Sequence, residues 1–209
     1  MRAVRAVVAS AALALLVGCG STSPPAEAPR LLTRAEADAR NVVPFTRGVR
    51  LDKAGRIVDV TFDAPAVVDP QMSWLKLGLR LHGAEQKPVS QATENLRQGV
   101  LQARIVLQRL DGSGAKIIPL SRPSSGGRSM QVLPEGGYVE RLSPGGVDSY
   151  PLEQAGLKSK DVFYLVLQIA DAGLIDAGRY RVTLDLLEDR PDLEDVQPEF
   201  IAAYYSLGK

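Results

Sequence analysis

Residues 74 to 82 read WLKLGLRLH. Leu75, Leu77, Leu79 and Leu81 take every second position, with Trp74, Lys76, Gly78, Arg80 and His82 between them. A strand turns successive side chains to opposite faces, whereas a helix would scatter these four leucines around its circumference. The stretch therefore predicts a β-strand with one apolar face, and that face needs a second layer to cover it.

The same alternation recurs on both sides. In RGVRLDKAGRIVDVTFDAP (47–65), Val58, Val60 and Phe62 alternate with Asp59 and Thr61. Val49 and Leu51 precede a turn-like Asp52–Gly55, so the segment predicts a hairpin. QARIVLQRLDGSGAKIIPLS (102–121) predicts a second hairpin around Asp111 to Gly114. DVFYLVLQIAD, GRYRVTLDLLED and EFIAAYYSL supply candidate strands near residues 161, 179 and 199. LLTRAEADARN (31–41) predicts a short, largely exposed helix. The expected fold is all-β: a two-layer antiparallel β-sandwich with long loops, spanning 43–209 as one domain.

The N-terminal end is of another kind. Arg2 and Arg5 precede an apolar run from Ala6 to Val17 broken only by Ser10. This is the layout of a secretory signal peptide, and the run is shorter than the roughly 20 residues of a membrane-crossing helix. Leu16-Val17-Gly18-Cys19 resembles the lipobox of bacterial lipoproteins. That resemblance implies removal of residues 1–18 and lipidation of Cys19, with acyl chains such as palmitate on its sulfur and amino group. Two or more chains give stable attachment where one gives marginal binding. Gly20, where an aspartate would hold some lipoproteins at the inner membrane, implies by similarity to enterobacterial lipoproteins an outer-membrane anchor facing the periplasm. Residues 19–42 then form a lipidated, flexible tether, Ser- and Pro-rich at its start.

Composition limits the partners. Cys19 is the only cysteine, so no intramolecular disulfide forms. Loss of Arg2 and Arg5 from the 25 basic side chains leaves them one short of the 24 acidic ones. Nucleic acid and anionic lipid both reward a strong basic excess, so neither is expected as a partner. The expected contacts are the membrane, through the anchor, and a protein.

Asp176-Ala177-Gly178-Arg179-Tyr180-Arg181-Val182 resembles the tyrosine-corner segment of immunoglobulin-type sandwiches, in which the tyrosine hydroxyl returns to the upstream backbone. Gly178 and Tyr180 are assigned structural roles on that resemblance, which implies an Ig-like sandwich. Trp74 lies 14 residues after Val60, a spacing similar to that between core cysteine and core tryptophan in those domains, but it opposes the leucine face of its own strand. Across the mature chain, the segments around Phe45, Lys53-Ala54-Gly55 and GRYRVTLDLLEDRP (178–191) resemble a group of uncharacterised proteobacterial lipoproteins. Some similar envelope lipoproteins accompany type VI secretion phospholipase effectors as immunity proteins. The resemblance therefore implies a protein that neutralises a secreted toxin.

Catalytic constellations are sparse. His82 is the only histidine, which removes multi-histidine metal sites and the usual base for a serine nucleophile. Ser124 and Ser125 sit in a loop without a GxSxG elbow. Glu188 and Asp189, adjacent in sequence, would point to opposite faces of a strand. No catalytic residue, metal or cofactor is expected. Gly137 to Val162 resembles a PDZ segment, but Lys160 replaces its glycine and no carboxylate-binding loop precedes it. The Gly-, Pro- and Ser-rich residues 121–150 predict a long loop whose Met130, Val132, Leu133, Tyr138 and Leu142 form an adaptable contact surface. LEDRPDLEDVQPE (187–199) places Asp189, Asp192 and Glu194 on an acidic lip that would steer a basic partner. The candidate partner-binding residues are thus Met130, Tyr138, Leu142, Asp189, Asp192 and Glu194. The sequence reads as a non-catalytic protein-binding module, with an envelope structural or assembly role as the alternative.

Overall fold

The computed structural model describes residues 29–67, 73–112, 114–124 and 129–206. The signal segment, Cys19 and the start of the tether, residues 19–28, lie outside the described residues. Within them the chain forms two antiparallel sheets. The larger runs β1 (Phe45–Gly48), β12 (Glu199–Ser206), β3 (Ser73–Gly83), β10 (Phe163–Gly173), β6 (Ser121–Pro123), β7 (Met130–Val132), with β9 (Ser143–Gly145) also paired to β10. The smaller runs β2 (Gly55–Ala64), β11 (Gly178–Leu186), β4 (Ala103–Asp111), β5 (Gly114–Ile118), with β8 (Tyr138–Val139) against the other end of β4.

The leucine stripe sits where its pattern requires. β3 lies between β12 and β10, and Leu75, Leu77, Leu79 and Leu81 are all buried. Val58 and Phe62 of β2, Ile105 and Leu107 of β4, and Val182 and Leu184 of β11 join them in one core. Four rings stitch the layers together: Phe45 and Phe200 come from the larger sheet, Phe62 and Tyr180 from the smaller. Their centroid separations are 5.0 Å (Phe45–Phe62), 6.2 Å (Phe45–Phe200) and 5.8 Å (Phe62–Tyr180), within the range of favourable aromatic pairs. The Tyr180 hydroxyl donates to the Asp176 carbonyl at 2.9 Å, the upstream return expected of it. Gly178, with φ of +158°, is extended.

β12 is buried on both faces. Its outward Ile201 and Ala203 pack with Ala37 of α1 (Arg34–Ala39), Leu152 of α3 (Ser149–Gln154) and Leu157. Thr33 caps α1, and Glu36 returns the bond to the Thr33 N–H, which is why this six-residue piece holds as a helix. The stretch that resembles a PDZ segment holds β8, β9 and α3, the last closed by Gly156 at φ +68°, and β10 follows it.

One expectation needs correcting, and one element was not foreseen. Residues 47–65 make no hairpin: β1 pairs with β12, and β2 pairs with β11 in the other sheet. Val49 and Leu51 are buried because they carry the chain across the core edge, with the Val49 N–H donating to Pro198. Residues 86–98 form a helix, α2 (Gln86–Gln98), that no sequence signal anticipated; it buries Val89, Thr93 and Leu96 against the main core.

Candidate functional site

The hairpin of β4 and β5 closes as expected, with Asp111 opposite Gly114 and Leu107 opposite Ile118. After Ile118 the chain leaves β4 and crosses to the larger sheet as β6. β8 meets β4 again only at Ala103 and Arg104. In the gap between β5 and β8, the segment Val132–Gly137 folds over β4, and the Ile105 N–H donates to the Gly137 carbonyl at 2.9 Å. Gly137 has φ +73°, and a Cβ there would overlap the Ile105 carbonyl. Only glycine allows that close approach.

An apolar groove of about 250 Å³ opens beside this crossing, lined by Ile105, Leu107, Ile118, Leu120, Val132 and Leu133 among others. It falls below the roughly 300–1,000 Å³ of sites for drug-sized ligands, and its walls suit one apolar side chain. Ile117 (65% exposed) and Val132 (66%) stand at its rim, with Met130 (39%) two residues along β7 from Val132. Isolated exposed apolar residues are ordinary. Here they cluster around a groove at the side of the sandwich where both sheets end.

The long loop of the sequence reading is thus partly strand: residues 121–145 contribute β6, β7, β8 and β9. Of its candidate contact residues, Met130 and Val132 are exposed, while Leu133 and Leu142 are buried core residues. Leu142 therefore offers no surface to a partner; its burial holds the loop to the body. Tyr138 is half-buried, its hydroxyl 3.3 Å from Gln102 Oε1, and Gln102 Nε2 donates to Glu188 at 2.8 Å.

Part of the acidic lip is paired within the chain. Arg190 grips Asp192 through two bonds of 2.9 and 2.7 Å, which hold the Asp192 carboxyl below the usual carboxylate range. Asp189 accepts from the Ala54 N–H at 2.8 Å and lies 3.7 Å from Lys53. Glu199 is buried, bonded twice by Arg80 at 2.9 and 2.6 Å. Asp189 and Asp192 are paired yet keep 60% of their side chains exposed. Glu194 and Asp195 stay exposed, between a cleft of about 520 Å³ beside His82 and α2 and one of about 440 Å³ beside Arg34 and Arg50.

The outward face of the larger sheet is polar but closed. Arg80 also donates to the Leu157 carbonyl at 2.8 Å and lies 4.7 Å from the Tyr164 ring centroid. His82 Nε2 is 3.8 Å from Glu199 Oε1. Lys76 bonds the buried Asp171 and sits between the rings of Trp74 and Tyr205; Trp74 is therefore a cover for this pair on the face opposite the core. Among the described residues no cluster of three or more His, Cys, Asp or Glu side chains could hold a metal ion. No helix among them is long and apolar enough to cross a membrane.

Sequence reasoning missed Ile117 and Gly137, because the groove is assembled from strands distant in sequence. No protein-family model matches the chain, and no curated protein matches it significantly in sequence. A crystal structure of a protein from Sulfurospirillum deleyianum aligns over 79% of this chain and 98% of its own, at 10% identity and a TM-score of 0.45.

Proposed function

We propose that the protein is an outer-membrane-anchored periplasmic lipoprotein whose Ig-like sandwich acts as a non-catalytic protein-binding module. On this reading it is an immunity protein that neutralises a type VI secreted phospholipase effector. The observation that carries the binding role is the apolar groove at the side of the sandwich, rimmed by Ile117, Val132 and Met130. Interface anchors are large apolar side chains seated in well-packed pockets of about this kind. The Tyr180 hydroxyl bond to Asp176 supports the Ig-like type. The lipobox-like Leu16-Val17-Gly18-Cys19 supports the anchor, and a lipid-degrading toxin attacks the surface to which that anchor would tether its inhibitor.

The test places a photo-crosslinking amino acid at Ile117, at Val132 and, as a control on α3 over the outward face of the larger sheet, at the exposed Tyr150. The same cells are labelled with radioactive palmitate. The expected outcome is label that disappears in Cys19→Ser, together with one protein crosslinked from 117 and 132 but not from 150. Deletion should sensitise cells to that protein when it is an effector. A crosslinked assembly component with unchanged sensitivity would replace the immunity role with an envelope assembly role. Equal labelling of wild type and Cys19→Ser would sink the anchor.

A further inference from the structure

Building on the binding-module reading, we infer that β5 is an acceptor edge: the partner adds an extended, acidic and apolar segment as a further strand beside Gly114–Ile118. Asp111 and Gly114 stand opposite each other with only two residues between them, so theirs is a hydrogen-bonded pair. Bonded pairs alternate along an antiparallel ladder; those at Arg109–Lys116 and Leu107–Ile118 follow. Ala115 and Ile117 therefore turn their N–H and C=O groups away from β4. No backbone partner outside the ladder is found for either residue among the described residues.

Two other edges, β1 and β2, are better guarded, and β7 at the far end of the larger sheet is only three residues long. β1 is covered by α1: the Gly48 N–H donates to Asp38 at 3.0 Å and Arg47 bonds the Ala37 and Arg40 carbonyls. β2 is strapped at Asp63 by residues 41–43 and carries the paired charges Arg56 and Asp59 along its length. Covering and charge are the usual protections of a sheet edge. β5 has only Lys116, and its first four residues are exposed.

Charge identifies the occupant. Lys116, exposed on β5 itself, and Arg104, beside Gly136, have no ion-pair partner among the described residues, whereas Arg181 of β11 and Arg56 of β2 are paired; the one carboxylate among the groove's described lining residues is Glu135. An acidic side chain opposite Lys116 would complete the pair, and a large apolar side chain beyond Ile118 would enter the groove. A second copy is disfavoured. The register that satisfies both Ala115 and Ile117 on each chain pairs Ala115 with Ile117 of the other copy, and this sets Lys116 directly opposite Lys116, an unfavourable like-charge pair. Strand addition gives main-chain affinity, with alternate side chains giving specificity.

The probe is a capped octapeptide alternating glutamate with valine and ending in leucine, with a twin carrying lysine for glutamate. The full chain in detergent is followed by amide hydrogen exchange. The glutamate peptide should slow exchange at Ala115 and Ile117 about tenfold or more at saturation, and the lysine twin should bind several-fold more weakly. Lys116→Glu should reverse that preference. Ile117→Pro removes an outward N–H while sparing the β4 ladder, and should abolish protection at Ala115. Equal protection by the twin, an unaltered preference in Lys116→Glu, no protection at all, or dimerisation through β5 in sedimentation would each overturn the inference. If the Ile117→Pro chain still crosslinks its partner from Val132 at the wild-type level, strand addition fails while the binding module stands. If the peptide binds as expected but no protein is crosslinked in cells, the module reading fails instead.

Discussion

Two tyrosine-to-phenylalanine changes should move stability in opposite directions. The Tyr204 hydroxyl is buried and has no hydrogen-bond partner among the described residues. Leaving such a hydroxyl unpaired costs about 1–3 kcal/mol on scales drawn from protein variants. Tyr204→Phe keeps the ring and removes the cost, so it should leave stability unchanged or raise it by up to about 2 kcal/mol. Tyr180 is the reverse case. Its hydroxyl is bonded to Asp176 at 2.9 Å, and Tyr180→Phe should lose about 0.5–1.5 kcal/mol. Urea denaturation at neutral pH separates the two, because the midpoint moves with stability while the slope stays constant. pH gives a second reading. Burial pushes the Tyr204 pKa up from 10.0 to about 12. The folded state thus holds this proton more tightly than the unfolded chain does. The contribution is complete below pH 10 and is lost as pH rises from 10 through about 12, up to roughly 2–3 kcal/mol in all. Burial raises the Tyr180 pKa as well, so wild type should lose stability in that alkaline window and Tyr204→Phe should lose visibly less. A Tyr204→Phe chain destabilised by more than about 1 kcal/mol, or one with the wild-type alkaline loss, would refute the reasoning.

The buried Arg80–Glu199 pair gives a sharper loss. Glu199→Ala strands a buried guanidinium and should cost about 3–5 kcal/mol, whereas Arg80→Met with Glu199→Leu should recover most of it by thermal or urea unfolding. Gly137→Ala combines positive φ with overlap on the Ile105 carbonyl and should cost at least about 2 kcal/mol, with faster exchange of the Ile105 amide as the local readout. Asp192→Asn, in an exposed pair, should change stability by less than about 1 kcal/mol and leave crosslinking from Val132 intact, since Asp192 does not line the groove.

Alternation told which side of a segment is buried but not what lies beside it. The four leucines of β3, the β4–β5 hairpin and the Tyr180 return were legible because each depends on residues within a few positions of one another. Val49 and Leu51 misled for the same reason. They are buried like strand residues, yet β1 finds its partner in β12, about 150 residues away, and nothing local encodes that pairing. α2 escaped notice because its apolar stripe is thin: Val89 and Leu96 are its only large buried apolar side chains, with Thr93 between them. Its exposed face is held instead by short-range polar pairs such as Glu94–Arg97 and Gln91–Asn95.

The candidate site shows how composition and position divide the work. Gly, Pro and Ser correctly marked 121–150 as irregular, but strands of two or three residues are too short to show a period, so Leu133 and Leu142 looked like surface when they are anchors. Those anchors place Val132 at the groove rim beside Ile117, which comes from a different sheet. The acidic run shows the complementary limit of reading along the chain. Its partners Lys53, Arg80 and Ala54 come from distant strands and turns, so net charge counted along the chain overstated the charge left to meet solvent. Lys116, exposed on the β5 edge, is what turns the partner proposed for that edge into an acidic strand.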